Sequence, residues 1–108
     1  MKSSEINHAG RTSQFEPTDI IRIQAQSNYC KIYFINQCKT LVVAKVLRLV
    51  QEKLPPDMFV RVHRSHLVNR MYIKALNGMQ HKTLELINGE TVAVSRRKRN
   101  AFGKAPFL

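Results

Sequence analysis

Phe59-Val60-Arg61-Val62-His63-Arg64-Ser65-His66-Leu67-Val68-Asn69 is the stretch around which this chain is organised. It begins as a strand, with Val60 and Val62 on one face and Phe59, Arg61 and His63 on the other. The alternation stops at Arg64, and Ser65 stands where a helical turn can be capped. Leu67 and Val68 then pair at helical spacing with Met71 and Tyr72. A strand that turns sharply at His-Arg-Ser presents donor-rich side chains at an exposed corner, which is a surface for reading something.

Outward from this stretch the pattern is mostly β. Asp19 to Ala25 reads as a strand with Ile21, Ile23 and Ala25 on one face and Arg22 and Gln24 on the other. Gln26-Ser27-Asn28 makes a turn, and Tyr29 to Ile35 follows with Cys30, Ile32 and Phe34 together. Asn36-Gln37 is a second turn, leading to a strand from Cys38 to Val43. The period then changes: Val43, Val46, Leu47, Val50 and Leu54 form one helical stripe, ended by Pro55-Pro56, which predicts an amphipathic helix over about 43–54. Beyond the central stretch, Tyr72 to Leu76 reads as a strand and Asn77-Gly78 as a turn. Leu84, Leu86, Val92 and Val94 alternate on two strands joined by Asn88-Gly89. Residues 1–17 are polar, include Gly10 and Pro17, and lack a sustained period, so they read as a flexible lead or linker. That lead is too short to be a receiver or sensor domain, so the chain is expected to be either a free-standing regulator or the effector end of something longer.

A chain of 108 residues suits one domain with a core of its own. Its charge is the strongest compositional signal: 18 Lys and Arg against 7 Asp and Glu, a net of +11. Residues 1–57 carry 8 basic and 5 acidic side chains, net +3, and residues 58–108 carry 10 and 2, net +8. Cations concentrated in one half suit a polyanion, since each neutralised phosphate releases counterions. An anionic membrane is a poorer match, because no basic amphipathic helix with large apolar residues is evident. The N-terminus lacks an apolar secretory core and no apolar run approaches a membrane span, so a cytoplasmic protein is expected. Cys30 and Cys38 can face each other across a hairpin, yet in that compartment they are expected to be reduced and packed; without a CxxC spacing no zinc site is expected.

The motif Phe59-x-Arg61-Val62-His63-Arg64-Ser65-x-Leu67-Val68-Asn69-x-x-x-Ile73 resembles the central signature of LytTR-type DNA-binding domains. Asp19-Ile20-Ile21-x-Ile23 leading to Asn28-Tyr29 is similar to that family's opening hairpin, and Val94-Ser95-Arg96-Arg97 to its closing motif. The resemblance covers roughly residues 18–100 and implies elongated, stacked antiparallel β-sheets with one amphipathic helix and short helical turns. The expected organisation is a domain over 18–103, preceded by the lead 1–17 and followed by a tail 104–108. It further implies a bacterial promoter-binding regulator, usually attached to a receiver or sensor as in two-component response regulators, often bound to direct repeats as a pair.

In the family it resembles, base-reading side chains come from the first hairpin, the corner after the central histidine and the end of the last strand. Those regions supply Cys30 or Lys31, of which charge favours Lys31, then Arg64 and Arg97. A guanidinium can bond guanine O6 and N7 together in the major groove. Arg61, Arg70, Lys74, Arg96, Lys98 and Arg99 are then expected at the phosphates. Ser95 can cap a short helix through Phe102, and four cations in its first turn oppose the helix dipole unless a phosphate backbone lies there. His63 is expected either at a phosphate or orienting the corner through the backbone. Together with His66 it invites a metal or acid–base pair, but no third ligand or carboxylate lies near in sequence, so neither an enzyme, a cofactor, a metal nor a small-molecule substrate is expected. Asn69 is expected to bond backbone at a turn. Two other readings stay open: a single-stranded nucleic acid or RNA binder stacking bases on Tyr29, Tyr33, Phe34 and Tyr72, and a module that titrates a homologous regulator.

Overall fold

The computed structural model describes residues 4–8, 11–35, 40–77 and 82–98. Strands β1 (Ser4–His8) and β2 (Arg11–Phe15) form an antiparallel hairpin. A 3-10 turn at Pro17–Asp19 leads into β3 (Ile20–Gln26), β4 (Tyr29–Phe34) and β5 (Thr40–Val43), then a short helix α1 (Leu47–Gln51). β6 (Phe59–His63) and β7 (His66–Asn69) follow, a second 3-10 turn at Arg70–Tyr72, and finally β8 (Ile73–Asn77), β9 (Thr83–Leu86) and β10 (Thr91–Ala93). The main sheet has the order β5-β4-β3-β7-β6 and the smaller one β10-β9-β8, with every pairing antiparallel. The fold is mainly β, as expected. No helix among the described residues is long and apolar enough to cross a membrane.

The five-stranded sheet is the middle layer. One face packs Ile20, Ile23, Cys30, Ile32 and Leu67 against Leu47, Val50 and Leu54 of the helical segment. The other packs Ile21, Val62 and Val68 against Leu84, Leu86, Val92 and Val94 of the smaller sheet. Two register irregularities explain why strict alternation misassigns faces. Between Ile20 and Arg22 the ladder with β4 slips, so Ile20 and Ile23 share the helix face while Ile21 turns to the other. Between Arg61 and His63 the ladder with β7 slips likewise, and His63 joins Val62 on the face away from the helix instead of following Arg61.

Two further expectations are corrected. The helix spans Leu47–Gln51, not 43–54: Val43 ends β5 opposite Cys30, and after Gln51 the amides of Lys53 and Leu54 bond three residues back. A side-chain stripe cannot separate a helix from a strand end that happens to face the same core; Val43, Leu47, Val50 and Leu54 are indeed buried, whereas Val46 is exposed. Ser65 caps nothing helical, because Leu67-Val68-Asn69 is a strand paired on both sides and buried on both faces. Such a strand reads as a continuous apolar run, which is why its period was lost. The polar segment 1–17 holds the β1–β2 hairpin, and Pro17 is buried in the body of the domain. Asn36-Gln37, Cys38, Gly78, Arg99 and the tail 104–108 lie outside the described residues.

Asn69 binds backbone, as expected, and does more than turn the chain. It is fully buried; its Nδ2 donates to Ile20 O at 2.9 Å and Pro17 O at 3.4 Å, and its Oδ1 accepts from Met71 N at 3.1 Å. The side chain thereby caps the second 3-10 turn and ties it to the first.

Candidate nucleic-acid interface

Three chain segments meet at one end of the main sheet. The β3–β4 turn, Ser27-Asn28, and the β6–β7 turn, Arg64-Ser65, lie at the same end because β3 pairs with β7; the Ala25 amide donates to Ser65 O at 2.8 Å. Ser27 accepts a left-handed φ of 54° to close its tight turn. The chain leaving β10 arrives at the same place, where the Ser95 amide donates to Val62 O at 2.8 Å. Across this end the register aligns Lys31, Gln24, His66 and His63 in one row over β4, β3, β7 and β6. Three interstrand steps of about 4.8 Å make that row about 14 Å wide.

At the corner, Arg61, His63, Arg64, Ser95, Arg97 and Lys98 line an open cleft of about 390 Å³. Four of these carry positive charge and none is acidic. Glu90, Glu52 and Glu85 are paired elsewhere, with Arg22, Arg48 and Lys74. Arg64, Arg97 and Lys98 are exposed. Residues 96–98 are helical, and Ser95 accepts from the Lys98 amide through O at 3.0 Å and Oγ at 3.4 Å, the cap that its position predicted.

The two histidines are held in different ways by the fold. His63 Nδ1 accepts from the Ser65 amide at 3.1 Å, so its proton sits on Nε2 and the ring props the turn. The His66 ring lies 5.2 Å away at 47°, with Nδ1 buried and unpartnered. Burial, then His63 and Arg22, hold the His66 imidazole below its ordinary value. Among the described residues no group of three or more His, Cys, Asp or Glu is arranged to hold a metal ion. Cys30 is buried as a free thiol whose Sγ contacts Lys45 O at 3.2 Å; burial pushes its pKa up, opposed by Arg61.

The expected contacts divide by place. Arg64, Arg97 and Lys98 gather in the cleft, Arg96 is exposed beside them, and Lys31 stands in the row. Arg61 lines the cleft, but its guanidinium is turned onto its own corner, donating to His63 O at 3.1 Å and Arg64 O at 2.7 Å. Arg70 lies at the opposite end of β7, about 15 Å of strand from the corner. Lys74 pairs with Glu85 at 3.8 Å, near the end of the small sheet remote from Ser95. These two are not brought to the corner. Lys82 is, although sequence reasoning passed over it: it is exposed, and its carbonyl accepts from Val94 N at 2.9 Å. Counting back along the hairpin from Asn88-Gly89 places Lys82 opposite Val94, so its position was available from register.

The four aromatic side chains weighed as stacking platforms are engaged within the domain. Tyr33 lies under the Arg22 guanidinium at 3.8 Å, Tyr72 donates to Thr18 O, Tyr29 donates to Gln26 Oε1 at 2.9 Å, and Phe34 packs on the helix-side core.

Fold and site together define a small antiparallel β domain with a basic cleft, none of whose lining residues is acidic, suited to a polyanion. The family model of the LytTr DNA-binding domain matches residues 10–105, and the chain belongs to that family. A LytTr DNA-binding domain from Bacillus cereus superposes with a TM-score of 0.75 at 25% identity, covering 96% of this chain and 95% of that one. The sensory transduction proteins LytT of Enterococcus faecalis and Bacillus subtilis are 32% and 34% identical over 82 and 80 residues, or 74% and 72% of this chain. The chain spans about a third of the length of these curated relatives, 33% and 32%.

Proposed function

We propose that the domain reads duplex DNA in a sequence-specific manner and regulates transcription in a bacterium, as the output end of a signalling protein. The observation that carries this reading is the convergence of Arg64, Arg97 and Lys98 on one acid-free cleft, continued by the row ending at Lys31. A row about 14 Å wide matches a major groove about 12 Å wide. Arg64 and Arg97 take bases through the guanidinium fork, and Lys31 takes a base at the far side of the groove. Arg96, Lys98, Lys82 and the free Nε2–H of His63 take phosphates, with Arg99 as a further phosphate contact by its place in the sequence. The relatives named as sensory transduction proteins support a role downstream of a signal, and paired binding to direct repeats follows from the family resemblance.

Selection of bound duplexes from a randomised library, at physiological salt with competitor, tests this. Enrichment of a short motif, with a second copy at fixed spacing, is the expected result. Salt-steep binding that enriches no motif would overturn sequence reading, and preferential capture of single strands would favour the stacking alternative despite its engaged aromatics.

A further inference from the structure

We propose that Arg61 is a positioning residue that holds the Arg64 corner in its reading conformation, and does not itself bind phosphate. The inference rests on the duplex-reading function above. The β6–β7 ladder slips between Arg61 and His63, and a slip of this kind leaves backbone groups without their regular partners just where the chain turns. Arg61 supplies those partners. Its Nε donates to His63 O at 3.1 Å, its Nη2 to Arg64 O at 2.7 Å, and its Nη1 to Gln51 Oε1 at 3.3 Å in the last residue of α1. All three guanidinium nitrogens are therefore engaged by acceptors of the domain itself, and the corner is fastened to the helix layer.

Two consequences matter for reading. The carbonyls of His63 and Arg64 would otherwise turn partial negative charge toward an approaching polyanion; the guanidinium covers both. The Arg64 backbone is also fixed on one side by Arg61, while Ser65 is fixed on the other by His63 Nδ1 and the Ala25 amide. The exposed Arg64 side chain then starts from a rigid base, which is what lets two N–H groups meet two acceptors on one base edge together.

The test uses the duplex selected by the wild-type domain and an unrelated duplex, titrated over a salt series with the wild type, Arg61→Lys, Arg61→Met, Arg64→Ala, Arg61→Met/Arg64→Ala and Gln51→Leu. Lysine keeps the charge but has no fork to bridge three acceptors. Both Arg61 substitutions are expected to lower the ratio of specific to non-specific affinity about tenfold, within the range of one bidentate base contact. The salt slope stays unchanged. In the Arg64→Ala background Arg61→Met should lower the ratio no further, and Gln51→Leu should lower it less than Arg61→Met does. Protection of the Ser65 and Ala25 amides from hydrogen exchange should fall in Arg61→Lys, a domain that keeps its charge. If Arg61→Lys binds like the wild type while Arg61→Met flattens the salt slope by about 0.9 at an unchanged ratio, Arg61 is a phosphate contact and the inference is overturned. Additive losses in the double variant overturn it as well. An Arg64→Ala domain with an undiminished ratio overturns the base-reading role itself, a distinct failure.

Discussion

Arg22 in the central strand and Glu90 in the last hairpin form a two-point ion pair across the two sheets, Nη2 to Oε2 at 2.9 Å and Nε to Oε1 at 3.2 Å. The third guanidinium nitrogen donates to Gln24 Oε1 at 3.0 Å, and the plane lies 3.8 Å over Tyr33. Asn88 Nδ2 completes the carboxylate at 2.7 Å. One arginine thus joins the layers and orients Gln24, a member of the row that runs to the corner.

Truncating one end of this pair strands the other. The Arg22 side chain is 12% exposed and that of Glu90 38%, so the carboxylate is partly screened and Glu90→Ala is expected to cost about 1–2 kcal/mol. Each kcal/mol should lower Tm by about 4–8 °C in a domain of this size, measurable by thermal unfolding. The Arg22 hydrogen bond holds the Glu90 carboxyl below its ordinary value of 4.5, with burial opposing and Asn88 assisting. A depressed carboxylate stabilises the fold above its unfolded value, and that contribution is lost as pH falls through the folded value. Glu90→Gln should therefore flatten the acid limb of Tm against pH.

His66 produces a second pH window with its own cause. Burial keeps its imidazole neutral below the ordinary 6.5, so the unfolded chain takes up this proton first. Its neutral form contributes full stability above about 6.5, and stability declines as pH drops from there toward the lower folded value. His66→Asn should remove the decline that begins as pH falls below about 6.5, and unfolding midpoints in urea would show it.

For DNA, place decides the outcome of each substitution. Arg64→Ala and Arg97→Ala should relax base preference at particular positions of the selected site, whereas Lys98→Ala and Lys82→Ala should weaken all duplexes alike and flatten the salt slope by about 0.9 each. Arg70→Ala and Lys74→Ala, away from the corner, should leave both affinity and slope near wild type. A competition assay at two salt concentrations separates the three groups.

Asn69→Ala removes a fully buried side chain with three backbone partners, Ile20 O, Pro17 O and Met71 N. Leaving those groups unsatisfied should destabilise the domain by about 2–3 kcal/mol without altering DNA discrimination at temperatures where it is folded.

The strands whose residues alternate were legible: Tyr29–Phe34 and Thr83–Leu86 alternate as written, and the Asn88-Gly89 turn marks its hairpin, with Gly89 at a φ of 90°. β7 was not legible, because a strand buried on both faces loses its period. β1 and β2 pair through backbone bonds that their polar residues do not advertise. For the site, the motif singled out Arg64 and Arg97, which do share a cleft; it also nominated Arg70 and Lys74, which sequence proximity to basic residues cannot distinguish from residues at the far end of a strand.

By itself the sequence determined a basic, mainly β domain whose central motif turns at His63-Arg64-Ser65, because periodicity, turn chemistry and charge are local properties of a chain. Only the tertiary structure decided which cations share a surface, which face His63 takes, and that Arg61 spends its donors on its own corner. Those outcomes depend on β3 pairing with β7 and on two slips of register, and a slip of one residue reverses a side chain's face without changing the pattern that encodes the strand.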